Sequence, residues 1–364
     1  GYLQPSLEAD EIDAPSTNGI KTFTDFNTGG TEYVYAHSNT KLYQYLRNSP
    51  FTQIDKTTEI NVTDSPFCGA IIWKGRYIYA QKTDLRSNVL PVASGSDVQI
   101  LNGSNSSDLD IRALCIGSDK NLYIGDYGSV AKCVLQTGTA GNALDAFTID
   151  SGYTVRDIIN DGYYLVIFAD NNAVATTSRK QGNYSCKIYF WDCSSSKTTA
   201  DIIYDLPGNS YIIGAEMVGS AIKVFTYEGI YICNSGTPPR KIWSFTGNST
   251  ITKRPMTPYQ ITNDGETVYW GDGETNGQYV YANRGETFYV PYITHGSSAK
   301  HTALNFSSGV LFAGTDAPKV YVLNSGTTRG NATAQTVNIV LSGTYSLSYI
   351  KVTLKDKMSS GQAV

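Results

Sequence analysis

Charge is scarce in this chain. Only 16% of its 364 residues are Asp, Glu, Lys or Arg, the formal net charge is −4, and no basic run is longer than Arg179-Lys180 or Arg240-Lys241. Nucleic-acid binders draw much of their affinity from counterions released by clustered cations, so that partner class is set aside. Long apolar runs are missing too. The longest, Tyr163-Tyr164-Leu165-Val166-Ile167-Phe168-Ala169, falls far short of the roughly 20 residues needed to span a bilayer. The opening Gly1-Tyr2-Leu3-Gln4-Pro5 carries no apolar leader. A soluble chain with no membrane insertion is expected.

Catalytic and metal-binding residue types are thin. The three histidines, His37, His295 and His301, stand in no nucleophile elbow, no H-E-x-x-H helix and no Ser/His/Asp arrangement. The six cysteines form no C-x-x-C pair, and several lie inside apolar strand patterns such as Ala113-Leu114-Cys115-Ile116, which reads as buried thiols and not as zinc ligands. The acidic stretches 107–110 and 263–274 lack EF-hand spacing and read as solvated turns. No cofactor, no metal and no enzymatic activity are expected.

What is abundant is glycine, at 34 residues, and tyrosine, at 27. That composition suits many short strands joined by tight turns. An internal repeat sets their arrangement. Turn residues fall at Gly30, Gly75, Asp119, Gly162, Gly219, Gly265 and Gly309, roughly 44 residues apart except for one longer interval after Gly162. Behind each turn comes an apolar strand, for example Tyr77-Ile78-Tyr79 or Val268-Tyr269-Trp270. A small residue follows: Ala36, Ala80, Gly125, Ala169, Thr226, Gly271 or Ala313. Third strands are read at Leu42-Tyr43-Gln44-Tyr45, Val89-Leu90-Pro91-Val92 and their equivalents, and fourth strands at segments such as 97–101, 241–245 and 336–341. Four strands per repeat and seven repeats predict an all-β, seven-bladed β-propeller with four-stranded blades, in which the small residues let blades approach around an axis.

Residues 1–19 are expected to form an extended arm and 20–343 the propeller, with 344–364 as an extra strand and tail. The segment 20–26 is read as the first strand of blade one, which would close the ring without a split blade. The long interval places an insertion of polar residues at 170–185 in blade four, and long polar loops on rigid scaffolds are favoured places for function. Arg179, Lys180 and Tyr184 are its candidate partner contacts. Arg112 and Arg156 begin the first strands of blades three and four. They read either as an anion site facing a central channel or as arginines paired with Asp110 and Asp157.

In overall texture, from Gly1-Tyr2-Leu3-Gln4-Pro5 through Gly/Asn/Ser/Thr/Tyr-rich strands to blades without WD, kelch or Asp-box signatures, the chain resembles propeller-containing virion proteins of tailed bacteriophages. The resemblance implies a tail, neck or capsid-surface component located in the virion. Its partners would be other virion proteins and a host-surface glycan or protein. No diagnostic motif accompanies it, so it assigns no functional residue. The alternative from another class is a secreted carbohydrate-binding or glycoside-cleaving propeller using Tyr269 and Trp270 as sugar platforms.

Overall fold

The computed structural model describes residues 7–323 apart from the short segments 9, 14–18, 48–53, 63–66, 82–83, 102–109, 137–138, 173–183, 195–196, 198, 207–210, 246–252, 274–278, 286, 294–299 and 318. Seven separate sheets succeed one another along the chain, each built on four antiparallel neighbours. Their first strands are Thr22–Thr28, Phe67–Trp73, Ala113–Ile116, Thr154–Asn160, Ile212–Val218, Ile261–Asn263 and His301–Ser307. Each lies against the first strand of the next blade, and the last lies against the first. The chain is therefore a closed seven-bladed β-propeller whose first strands surround the axis.

The repeat has a direct structural cause. Turns between first and second strands require a left-handed residue, which glycine adopts without a Cβ penalty, as at Gly162 with φ 99° and Gly265 with φ 94°. Blade three places Lys120 there instead, at φ 64°, beside Asp119. The Asp119 carboxylate accepts hydrogen bonds from the Asn121 amide N–H at 3.1 Å and the Tyr123 hydroxyl at 2.9 Å. The small residues after the second strands sit where blades touch. A Cβ on Gly125 would stand 2.8 Å from Val155 Cγ1 in blade four, and one on Gly271 would stand 2.5 Å from His301 Cβ in blade seven.

Seven apolar clusters fill the seven seams between adjacent blades. The run Leu165–Asp170 shows why such strands are apolar at consecutive positions. Leu165 and Ile167 pack into the seam with blade three, Val166 and Phe168 into the seam with blade five. A strand covered on both faces reads as a continuous hydrophobic stretch. All six cysteines are free thiols, and five of them are buried.

Two expectations are corrected. The third strand of blade two is Asp84–Val89, and Leu90-Pro91-Val92 follows it outside the ladder, where proline's missing N–H breaks no strand pairing. The Val92 amide N–H bonds Gln44 Oε1 of blade one at 2.9 Å instead. The ring is also closed by a split blade. Asp10–Asp13 pairs antiparallel with Val320–Leu323 as the outer strand of blade seven, while Leu7–Glu8 pairs parallel with Thr287–Ile293 as a fifth strand on blade six. Part of the stretch expected as a free arm is thus sheet. Pairing Asp10–Asp13 with a strand some 300 residues later in the same blade ties the ring shut and covers an edge that would otherwise invite foreign strands. The fourth strand expected at 336–341 and the tail 344–364 lie outside the described residues.

Candidate functional site

Side chains from the first strands bond from blade to blade around the axis. Asn160 Nδ2 donates to the Ile116 carbonyl at 2.8 Å, joining blades four and three. Asp157 Oδ2 accepts the Ala215 amide N–H of blade five at 2.8 Å, and its Oδ1 accepts the Ile158 N–H at 2.9 Å. Glu216 Oε2 accepts from Asn263 Nδ2 of blade six at 2.7 Å. Thr262 Oγ1 then accepts the Phe306 N–H of blade seven at 3.1 Å.

A β-bulge places Asp157. Val155 pairs with Ala169 and Asp157 with Phe168, so Arg156 is the extra residue, and the parity of the strand shifts at that point. Burial pushes the Asp157 carboxyl up to about 7, against the two N–H bonds that lower it. Burial and the neighbouring Asp157 carboxyl together push Glu216 up to about 8, while its bond from Asn263 pulls the other way. Asp157 is buried and Glu216 half-buried, and each is held toward its protonated form because a charge there would lose water and face a like charge.

Tyr259 lies near Asp157. It belongs to a single 3-10 turn, Pro258–Gln260, that leads into the first strand of blade six. Gln260 fixes the turn: its Oε1 accepts the Thr257 N–H at 3.0 Å and also the Met256 N–H, while its Nε2 donates to the His301 carbonyl of blade seven. The Tyr259 hydroxyl lies 3.3 Å from the point where a Cβ on Gly69 of blade two would stand. Burial holds its phenol well above the ordinary range, and both Cys68 of blade two and Asp157 of blade four contribute to that shift. A side chain from blade six that approaches blades two and four crosses the axis. Tyr259, half-buried, therefore reaches across the axis toward blades two and four.

The residues singled out from sequence fall elsewhere. Arg112 pairs with Asp110, as one reading held. Arg156 pairs with Asp170 at 2.7 Å, not with Asp157, and is enclosed by the fold, with side chains 3% and 0% exposed. Its guanidinium also donates to the Asn172 carbonyl, and Asp170 Oδ2 accepts the Ile212 N–H of blade five at 3.0 Å. Each guanidinium is thus held by a carboxylate of its own blade. Arg179 and Lys180 lie outside the described residues. Tyr184 is half-buried against the apolar cluster between blades five and six. Tyr269 and Trp270, expected as sugar platforms, are 8% and 0% exposed and belong to seam clusters, which leaves no ring face for a ligand.

Glu216 and Tyr259 were not legible as site residues. The available signal was one carboxylate inside an otherwise apolar strand, in Ile212–Val218, with nothing to show that it faces the axis. Outside the axis, a shallow depression of about 650 Å³ lies between the hairpin turns of blades four and five.

No protein-family model matches the chain, and no curated protein matches it. Solved structures do. Virginiamycin B lyase from Staphylococcus aureus, a catalytically inactive form with quinupristin, superposes with a TM-score of 0.61 at 11% identity, over 88% of this chain and 99% of that one. A streptogramin B lyase gives 0.59 at 12% identity, over 87% and 97%. The WD40 domain of Neurospora crassa Pan2 gives 0.59 at 7% identity, over 92% and 100%. These propellers include an enzyme and a domain of the WD40 interaction class, and at such identities what they share with this chain is the fold.

Proposed function

We propose that the chain is a non-enzymatic docking propeller, a structural component of a bacteriophage virion that binds other virion proteins through its outer surfaces. One observation carries the non-enzymatic part. At the axis, where residues from several blades converge, both carboxyls are engaged in blade-to-blade hydrogen bonds. Groups committed to holding a ring together are poorly placed to meet a substrate. The virion part is supported by the resemblance of sequence texture, and a ring closed by strand pairing within one blade suits a passive building block. Crosslinking of the purified chain to tail, neck and capsid proteins tests it: specific crosslinks from the outer surface are expected, and none across the whole set would overturn it.

A glycoside-cleaving propeller is the second reading, and the acid pair favours it. Carboxyls raised to about 7 and 8 still hold protons near neutrality, as a general acid must. Hydrolysis of a glycoside panel, abolished by Glu216→Gln or Asp157→Asn with the fold intact, would establish this reading over the first.

A further inference from the structure

The depression between blades four and five has features of a binding site independent of the axis. Its lining includes Asp161, Tyr163, Met217, Ile222, Asn234 and Ser235. Tyr163 is 63% exposed, the highest value among the large hydrophobic side chains described, in a molecule whose other tyrosines are largely core. Exposure of one aromatic is ordinary; this one stands on a turn fixed by side-chain hydrogen bonds of the same kind as those of the blade-six turn at Asn263 to Thr267, and it alone of the two carries an aromatic beside a hollow.

The turn carrying Tyr163 is fixed from several sides. Asp161 Oδ1 accepts the N–H groups of Tyr163 at 2.9 Å and Tyr164 at 2.6 Å, and Asn160 Oδ1 accepts the Gly162 N–H at 2.8 Å. From blade three, the Ser118 hydroxyl donates to the Tyr163 carbonyl at 3.1 Å. Tyr164 stands edge-on to Tyr163, with ring centroids 4.6 Å apart at 82°, and leans in turn on Phe190 at 5.8 Å. Tyr163 is therefore an aromatic ring on a hydrogen-bonded turn, beside a hollow lined by Met217 and by neutral amide and hydroxyl groups, with Ile222 buried beneath. The one charged side chain in the lining, Asp161, is already bonded to the turn.

We propose that this depression binds a neutral glycan, with a sugar ring stacked on Tyr163 and its hydroxyls bonded by Asn234, Ser220 and Ser235. The C–H face of a pyranose is apolar and matches an aromatic face, while its edge is a fringe of hydroxyls that amides and serines satisfy. A lining without a free cation disfavours phosphorylated or strongly acidic ligands. The hollow has the volume of a small-ligand site but is shallow, and a protein partner would need a far wider contact than one aromatic and its rim. A hydrogen-bonded turn reduces the ordering cost that weakens binding at flexible loops.

Heteronuclear NMR titration of the full chain with a panel of neutral di- and trisaccharides of glucose, galactose, mannose and N-acetylglucosamine tests this. Saturable shifts at residues 161–164 and 234–235 are expected for at least one member. Tyr163→Ala should weaken that binding by about tenfold or more, the scale of one lost aromatic stack. Tyr127→Ala, at another exposed tyrosine, should leave it unchanged; unaltered melting temperatures check that both variants fold. No saturable binding across the panel, binding that survives Tyr163→Ala, or a protein crosslinked through Tyr163 with no glycan retained would each overturn the proposal. The readout is independent of virion assembly, so failure here and failure to crosslink virion proteins remain distinguishable.

Discussion

At the seam between blades four and five, Arg156 and Asp170 form an ion pair with side chains 3% and 0% exposed. On the rim of blade six, Arg284 and Glu266 form another with side chains 64% and 69% exposed. The same chemistry has different consequences in the two places. Water screens and solvates the rim pair, so making or breaking it changes little. The seam pair has no water to fall back on, and its geometry is completed by the Asn172 carbonyl and the Ile212 N–H. Near the axis the same pressure goes further, and Asp157 and Glu216 hold their protons in place of a charge. Burial and the sign of the neighbouring charge, more than residue type, set what a charged side chain does in this ring.

Substitutions and a pH titration sharpen the comparison. Asp170→Ala leaves the Arg156 cation enclosed without its carboxylate and is expected to destabilise the fold by about 3–5 kcal/mol in urea unfolding. The double variant Arg156→Met, Asp170→Leu should recover much of that loss, since an apolar pair needs no compensation. Gly271→Val places methyls where the backbone meets His301, and a loss of about 1–3 kcal/mol is expected from the same measurement.

A further expectation concerns pH. An unfolded chain loses the Asp157 and Glu216 protons near pH 4, whereas the fold keeps them until about 7 and 8, so their contribution falls as pH rises through that window. His37 and His301, lowered to about 3 and 4 by burial, act oppositely: the unfolded chain takes up protons below about 6.5 and the fold resists, so stability falls as pH drops. Burial lowers Lys223 to about 8, which matters only above that value. Melting temperature should therefore peak between roughly pH 4.5 and 6.5 and decline toward pH 8, with the decline flattened in Glu216→Gln. The smallest effect is expected at the rim, where Arg284→Ala should shift stability by no more than about 0.5 kcal/mol.

The blade repeat was legible because each blade must solve the same local problem. A left-handed turn residue, a strand covered on both faces and a small residue at the blade contact all leave marks at fixed intervals, and Gly162, Leu165 to Phe168 and Ala169 are one such set. Closure was not legible. Nothing in Asp10-Glu11-Ile12-Asp13 announces a partner some 300 residues away, since a single pairing so distant in sequence leaves no periodic trace. The same holds at the axis: Tyr259 and Glu216 acquire their roles only when separate blades meet. Tyr269 and Trp270 misled for a related reason, because aromatic strand residues look alike whether they face solvent or a seam. Tyr163 differs in lying on a turn next to a glycine, a mark that sequence reading passed over.

Carbon-13 NMR of the Asp157 and Glu216 carboxyls, followed from pH 4 to 9, tests most directly whether the axis is a proton-holding seam. Both carboxyls should remain protonated at pH 6 and titrate near 7 and 8, with their blade-to-blade bonds intact below those values. Two carboxylates already ionised at pH 5 would contradict it.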